Sequence, residues 1–257
     1  MHIEFTLQLS TVFGFLLVLA RVSGVIVMVP IPGLSAGPDL SRIALSAALT
    51  IALLPVWPAV RAGSTTPMRL VGWIAAESAF GLTIGVAVAF LLEGIQLAAQ
   101  IVGLQAGYSY ASTIDPATQA DTNTLQLMAQ LLAGLLFFAL GLDREVIAVL
   151  AGGFQSNPAG SYSLNQPAAE LIARLGSEIF STGLRLALPV LALMILLDIA
   201  FAVLSRVQAQ LQLLSLTFAV KMLVALAFLA SVLSLYPAAF RQTAETTFGA
   251  LTQLLNR

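Results

Sequence analysis

At 257 residues, 59% of them hydrophobic and only 9% charged, the chain is far more apolar than a soluble domain, in which roughly a quarter of residues carry charge. Its mean hydropathy is +0.96. A formal net charge of −1 argues against nucleic acid as a partner. The absence of cysteine excludes disulfides, thiol nucleophiles and Cys-based metal sites. The single histidine, His2, adjoins Met1 and offers neither a Ser-His dyad nor a metal centre. The composition is that of an all-α integral membrane protein forming one compact bundle, with no cofactor expected.

Six apolar segments follow in order, each near the roughly 17–25 residues that a spanning helix needs. The first covers about residues 5–29, up to Pro30-Ile31-Pro32-Gly33. The region before it carries Glu4 and no Lys or Arg, and the run is too long for a signal core, so an uncleaved membrane segment is expected. The second covers about 43–60, bent or ended early by Pro55 and Pro58. The third covers about 70–92 and runs on into Glu93, so that a break near Gly94 or a helix projecting from the bilayer is expected. The fourth covers about 125–142, followed by Asp143-Arg144-Glu145 and a short apolar piece, 146–150. A polar connection is expected over 155–178. The fifth segment covers about 179–204, with a kink at Pro189, and the sixth about 211–235, ending at Tyr236-Pro237 before a short tail. Nothing alternates with period two over barrel-strand lengths, so the segments are read as helices, some of them broken or kinked.

Two patterns stand out from this apolar background. Continued as a helix, Glu93, Gln96, Gln100, Gly103 and Gly107 fall on one face, opposite Leu97, Ile101, Leu104 and Tyr108. A face of Gln and Gly lets a second helix approach closely and gives it amides to bond. Beyond Gly107 the period fades into Tyr108, Ser109, Tyr110, Ala111, Ser112, Thr113 and Ile114, and stops at the turn dipeptide Asp115-Pro116. Such a polar loop must lie outside the hydrocarbon, pack inside protein, or line a watery path.

The second pattern is a set of charges inside apolar segments: Arg21, Glu77, Arg185, Asp198 and Lys221, the last being the only lysine. Such charges face protein or water and usually have partners. Arg21 and Asp198 lie close enough to segment ends for snorkelling to be an alternative. Glu77, Gly81 and Gly85, at a spacing of four, make a contact stripe with an acid at one end, read as helix packing around a buried ion pair. The sequence contains no HExxH, GxSxG or Walker loop, and enzymatic function is not expected.

These features together resemble the FliR/SctT family of type III export-gate subunits over essentially the full length. Ala20-Arg21-Val22-Ser23-Gly24 followed by Pro30 matches the family's opening, and residues 98–107 leading to Asp115-Pro116 match its most specific segment. The family's usual Pro-Gln pair, Asn and later Pro before Lys read here as Ala209-Gln210, Gln212 and Ala219-Val220-Lys221. The resemblance implies a core subunit of the flagellar type III export gate, in the bacterial inner membrane within the basal body, forming part of a channel for flagellar building blocks. It implies FliP-like and FliQ-like subunits, an FlhB-like subunit and exported unfolded proteins as partners, besides membrane lipid. It further implies a FliP-like part over 1–178 and a FliQ-like hairpin over 179–257, whose tip holds Arg206, Gln208, Gln210 and Gln212. The resemblance also implies that the loop from Tyr108 to Pro116 acts as a channel plug. A virulence-injectisome counterpart and, in another class, a small-solute secondary transporter are the alternatives. The distribution of Arg favours a cytoplasmic N-terminus by the positive-inside rule. The resemblance implies the opposite topology.

Overall fold

The computed structural model describes residues 9–29, 39–58, 66–108, 124–157, 160–162, 166–207, 213–232, 234 and 236–255. Among these the chain is helical, without strands. The helices are α1 (Leu9–Met28), α2 (Asp39–Ala52), α3 (Pro67–Ala106), α4 (Thr124–Ala139), α5 (Leu142–Ser156), α6 (Gln166–Val207), α7 (Leu213–Val232) and α8 (Tyr236–Leu255). Ser10–Met28, Pro67–Ala106 and Gln166–Arg206 are each long and apolar enough to cross a membrane. Two interrupted pairs, Leu125–Ala139 with Leu142–Ser156 and Leu216–Ser231 with Tyr236–Leu254, qualify when each pair is taken as one span.

Local chemistry explains the boundaries. α1 ends just before Pro30, because proline disfavours helix at the residue preceding it. α2 gives way to a 3-10 turn, Leu54–Val56, where Pro55 cannot continue the α-helical hydrogen bonds. α3 opens on Pro67, whose missing N–H is no loss in a first turn. It closes at Gly107 with φ +89°, a left-handed residue that suits glycine. There the Tyr108 N–H donates to Gly103 O (2.9 Å) and the Gly107 N–H to Leu104 O (3.2 Å), a Schellman closure.

Two expectations change, and one either-or is resolved: of a break near Gly94 or a helix too long for one span, α3 takes the second form, continuous for 40 residues. At a rise of about 1.5 Å per residue it is about 60 Å long, twice the hydrocarbon thickness of a bilayer. The polar connection expected over 155–178 is helical from Gln166 onward, as the first turns of α6. Its charged residues mask a helical register in which Ala168 and Leu175 are buried. The expected tail is the 20-residue helix α8. The sixth segment does end ahead of Tyr236-Pro237, with α7 stopping at Val232, but Pro237 also stands in the first turn of α8, whose buried stripe is Tyr236, Phe240, Ala244, Phe248 and Leu251.

The chain packs as two compact units. One comprises Met1–Phe90, Phe137–Leu175 and Ala244–Arg257, with Leu17, Val18, Val22, Phe80, Ile84, Leu150 and Leu251 in its core. The other comprises Leu91–Leu136 and Gly176–Thr243. Its core is built from Ala98, Val102 and Ala106 of α3, Ala187, Val190 and Met194 of α6, Leu125 of α4 and Ala225 of α7. The many alanines, at helical spacing, allow these helices to pack closely.

Candidate functional site

The first unit is organised around a buried ion pair between α1 and α3. The two helices meet backbone to backbone because glycine stands at each crossing point. A Cβ on Gly24 would lie 2.7 Å from Ser78 O, and one on Gly85 would lie 2.9 Å from Val25 O. A Cβ on Gly81 would overlap the Arg21 carbonyl. At this level both Arg21 and Glu77 are 0% exposed, so Arg21 does not snorkel. The Arg21 Nε–H donates to Glu77 Oε2. The other carboxylate oxygen, Oε1, accepts the backbone N–H of Gly160 at 2.9 Å.

The guanidinium lies between two rings, 3.9 Å from the Phe80 centroid and 4.0 Å from that of Phe154 in α5. Its Nη1 and Nη2 have no hydrogen-bond partner among the described residues. The segment 160–162 is fastened to α3 twice more. Gly160, at φ +78°, sits so close to the Trp73 ring that no side chain fits. The hydroxyls of Tyr162 and Thr83 share a hydrogen bond of 2.9 Å. Burial pushes the Tyr162 hydroxyl pKa up, and the bond to Thr83 pulls it partly back. The first unit therefore uses one acid, Glu77, to tie together α1, α3 and the segment entering α6.

The second unit has its own polar knot. Lys221 Nζ donates to both oxygens of Asp198, at 2.8 and 3.1 Å. Gln105 Nε2 of α3 donates to Asp198 Oδ2 at 3.0 Å. Lys221 is 8% exposed, and its aliphatic stem is packed inside while the ammonium reaches the acid. Close by, the Tyr108 hydroxyl donates to the carbonyl of Met222 at 3.1 Å. A Cβ on Gly107 would lie 2.7 Å from the Phe218 ring. The C-terminal end of α3 is thereby bound to α6 and α7 at the point where the polar 109–123 stretch departs.

Other residues singled out in the sequence are placed as follows. Of the Gln/Gly face, Gln96, Gly103 and Gly107 are buried, whereas Glu93 and Gln100 are exposed. Arg185 is exposed on α6 and has no ion-pair partner among the described residues. Arg206 is exposed near the end of α6. Gln208, Gln210 and Gln212, and Ser109, Tyr110, Ser112, Thr113, Ile114, Asp115 and Pro116, lie outside the described residues. Phe154, Gly160 and Gln105 were not distinguishable as site residues in the sequence. The first two serve Arg21 and Glu77 from the far side of a long gap in the chain, and no local pattern marks such a partner. Gln105 falls off the Gln96/Gln100 face, so its amide carried no periodic signal.

These arrangements supply no nucleophile-base pair. They do supply what a membrane subunit needs, namely charges satisfied across helices and close helix crossings. Residues 12–247 match the model of the family described as bacterial export proteins, family 1. The chain is 30% identical to the flagellar biosynthetic protein FliR of Escherichia coli (strain K12), over 84% of this chain and 83% of that one. It is 26% identical to FliR of Caulobacter vibrioides, over 85% and 87% of the two chains. With FliR of Bacillus subtilis (strain 168) it shares 22% identity over 94% of each. With a family match spanning nearly the whole chain and FliR relatives covered almost end to end, the chain belongs to bacterial export protein family 1, the FliR family.

Proposed function

We propose that this chain is a core subunit of the flagellar type III protein export gate, forming part of the channel through which flagellar building blocks leave the cell. The observation that carries the reading is the match over residues 12–247, together with relatives named for flagellar biosynthesis along the same length. Those names favour the flagellar system over a virulence injectisome. On this reading the chain resides in the bacterial inner membrane within the basal body. Its neighbours are FliP-like and FliQ-like subunits, with an FlhB-like subunit at the cytoplasmic side, and its cargo is unfolded protein. The apolar surface of α6, of whose most apolar stretch only 17% is buried, supports an assembly in which other helices or lipid cover it. The direct test is deletion of the gene and complementation. Loss of motility and of exported flagellar protein, both restored by the wild-type chain, is expected; normal export without the gene would refute the reading.

Within this assembly, residues 1–178 act as a FliP-like part and 179–257 as a FliQ-like hairpin. The hairpin tip, from Arg206 to Gln212, faces the cytoplasm and touches the FlhB-like subunit. Cysteines at Gln208 or Gln210 are expected to cross-link to that subunit. Labelling of those cysteines from the periplasm alone would remove both the contact and the topology. The loop from Tyr108 to Pro116 closes the channel at rest. Its Tyr and Ser/Thr side chains give bulk and polarity without positive charge. The fastening of Tyr108 to Met222 supports a fixed base for it.

A further inference from the structure

Little in the composition of α7 fixes how it sits against its neighbours. Its 20 residues carry a single charge, Lys221. The face packed inward, with Phe218, Met222, Ala225 and Phe228, is no more apolar than the face left exposed, with Leu216, Leu223 and Leu226. Burial selects one rotation of a helix only where its two faces differ. In a membrane, where lipid tails are as apolar as leucine, burial selects even less.

Three helices meet at the one level where α7 is marked. Lys221 Nζ donates to Asp198 Oδ1 and Oδ2, at 2.8 and 3.1 Å, and Gln105 Nε2 donates to Oδ2 at 3.0 Å. One carboxylate on α6 thus holds both α7 and the C-terminal end of α3. Two further contacts lie within a turn of Lys221, and both fall on that same end of α3. The Phe218 ring stands 2.7 Å from where a Cβ on Gly107 would be, and the Met222 carbonyl accepts the Tyr108 hydroxyl at 3.1 Å. A slide of α7 by one turn, about 5.4 Å, would break all of these contacts together. Stability alone does not account for the ion pair. Replacing a buried pair with apolar side chains of similar volume is often neutral or stabilising, whereas a lone polar residue in an apolar seam fixes register.

We infer that Asp198, Lys221 and Gln105 are positioning residues. They form a register lock that fixes α7 axially against α3 and α6, and so hold Gly107 and Tyr108, from which the 109–116 stretch departs, in one place. The lock is built only from side chains and backbone of α3, α6 and α7 and the residues that close α3. Its bearing on export rests on the proposed reading of residues 108–116 as the closure of the channel.

The test uses the full chain in its native membrane with the other gate subunits present. A photoreactive phenylalanine analogue replaces Phe218, and its adducts on α3 are mapped by mass. It is placed in the otherwise wild-type chain, in an apolar pair, Asp198→Leu with Lys221→Met, and in a reversed pair, Asp198→Lys with Lys221→Asp. Adducts at residues 107–108 are expected for the wild-type chain and for the reversed pair. The apolar pair is expected to assemble, with its adducts displaced along α3 by a turn, about 5.4 Å, or spread over that distance. Adducts confined to 107–108 in the apolar pair would show that burial sets the register, and would overturn the lock. Scattered adducts in the reversed pair would overturn it too. Failure of the apolar pair to enter the complex would make the ion pair a stabilising contact and equally overturn the lock. Ion leakage is read in the same cells. Displaced adducts with raised leakage support both the lock and the closure reading. Displaced adducts with unchanged leakage support the lock and overturn the closure reading alone.

Discussion

Arg21 and Glu77 show how one ion pair can be indispensable without being a large net source of stability. Burying both charges is expensive, and the attraction between them, with the Phe80 and Phe154 rings against a guanidinium whose Nη1 and Nη2 have no hydrogen-bond partner among the described residues, offsets that cost only in part. Glu77 is shared between the guanidinium and the Gly160 N–H, so its loss strands two donors at once. Glu77→Leu should cost about 3–5 kcal/mol, the usual penalty for leaving a buried charge alone. Glu77→Gln, which keeps an acceptor for Gly160, should cost less. The double change Arg21→Met with Glu77→Leu should cost less than Glu77→Leu by itself, leaving chiefly the orphaned Gly160 N–H at about 1–3 kcal/mol. Thermal unfolding of the purified assembly in detergent checks the order. A double variant less stable than either single would contradict it. Charges such as Glu77 were conspicuous in the sequence because they interrupt apolar runs. Their partners were not legible. Arg21 is 56 residues away in the chain, and the ring of Phe154 looks like any other apolar residue until α5 places it on the guanidinium.

At the scale of the helix, glycine decides how near α1 comes to α3. Gly81→Ala should separate the two helices, because the new methyl would overlap the Arg21 carbonyl. The expected loss is about 1–3 kcal/mol, as for other overpacked cores. Gly72→Ala on the same helix meets nothing within 4 Å and should be neutral, or stabilising by up to about 1 kcal/mol through helix propensity. Equal effects of the two in a thermal-stability assay would contradict the close crossing. Which segments are helical was largely readable, since the six apolar runs appear as α1, α2, α3, α4, α6 and α7, although α2, at 14 residues, is shorter than the span its run suggested. The ends were harder. The start of α6 and the whole of α8 carry charged and polar residues that hide them from a hydropathy reading. Only the spacing of Tyr236, Phe240, Ala244, Phe248 and Leu251 betrays α8, and it became meaningful once a packing surface existed.

At the scale of the whole molecule, the apolar residues outnumber the surfaces available to bury them. Phe180, Leu196 and Ile199 on α6, Leu135 on α4 and Leu223 on α7 all remain exposed. Lipid can cover such residues, but it leaves a large apolar surface for other gate subunits to share. The channel reading adds a requirement of its own, that a pore wide enough for unfolded protein be shut at rest. Deleting residues 109–114 in cells that carry the complete gate should raise ion leakage while the complex still assembles. An assembled mutant with unchanged membrane tightness would make the loop a simple connector. The central claim, that this chain is a subunit of an export gate and is stable only within it, is most directly tested by co-purification. The tagged chain, co-expressed with the proposed FliP-like and FliQ-like subunits and extracted in mild detergent, should elute with both in a defined complex and be degraded or aggregated without them. Recovery of the chain alone as a monodisperse, protease-resistant monomer, with neither neighbour bound when both are present, would contradict the account.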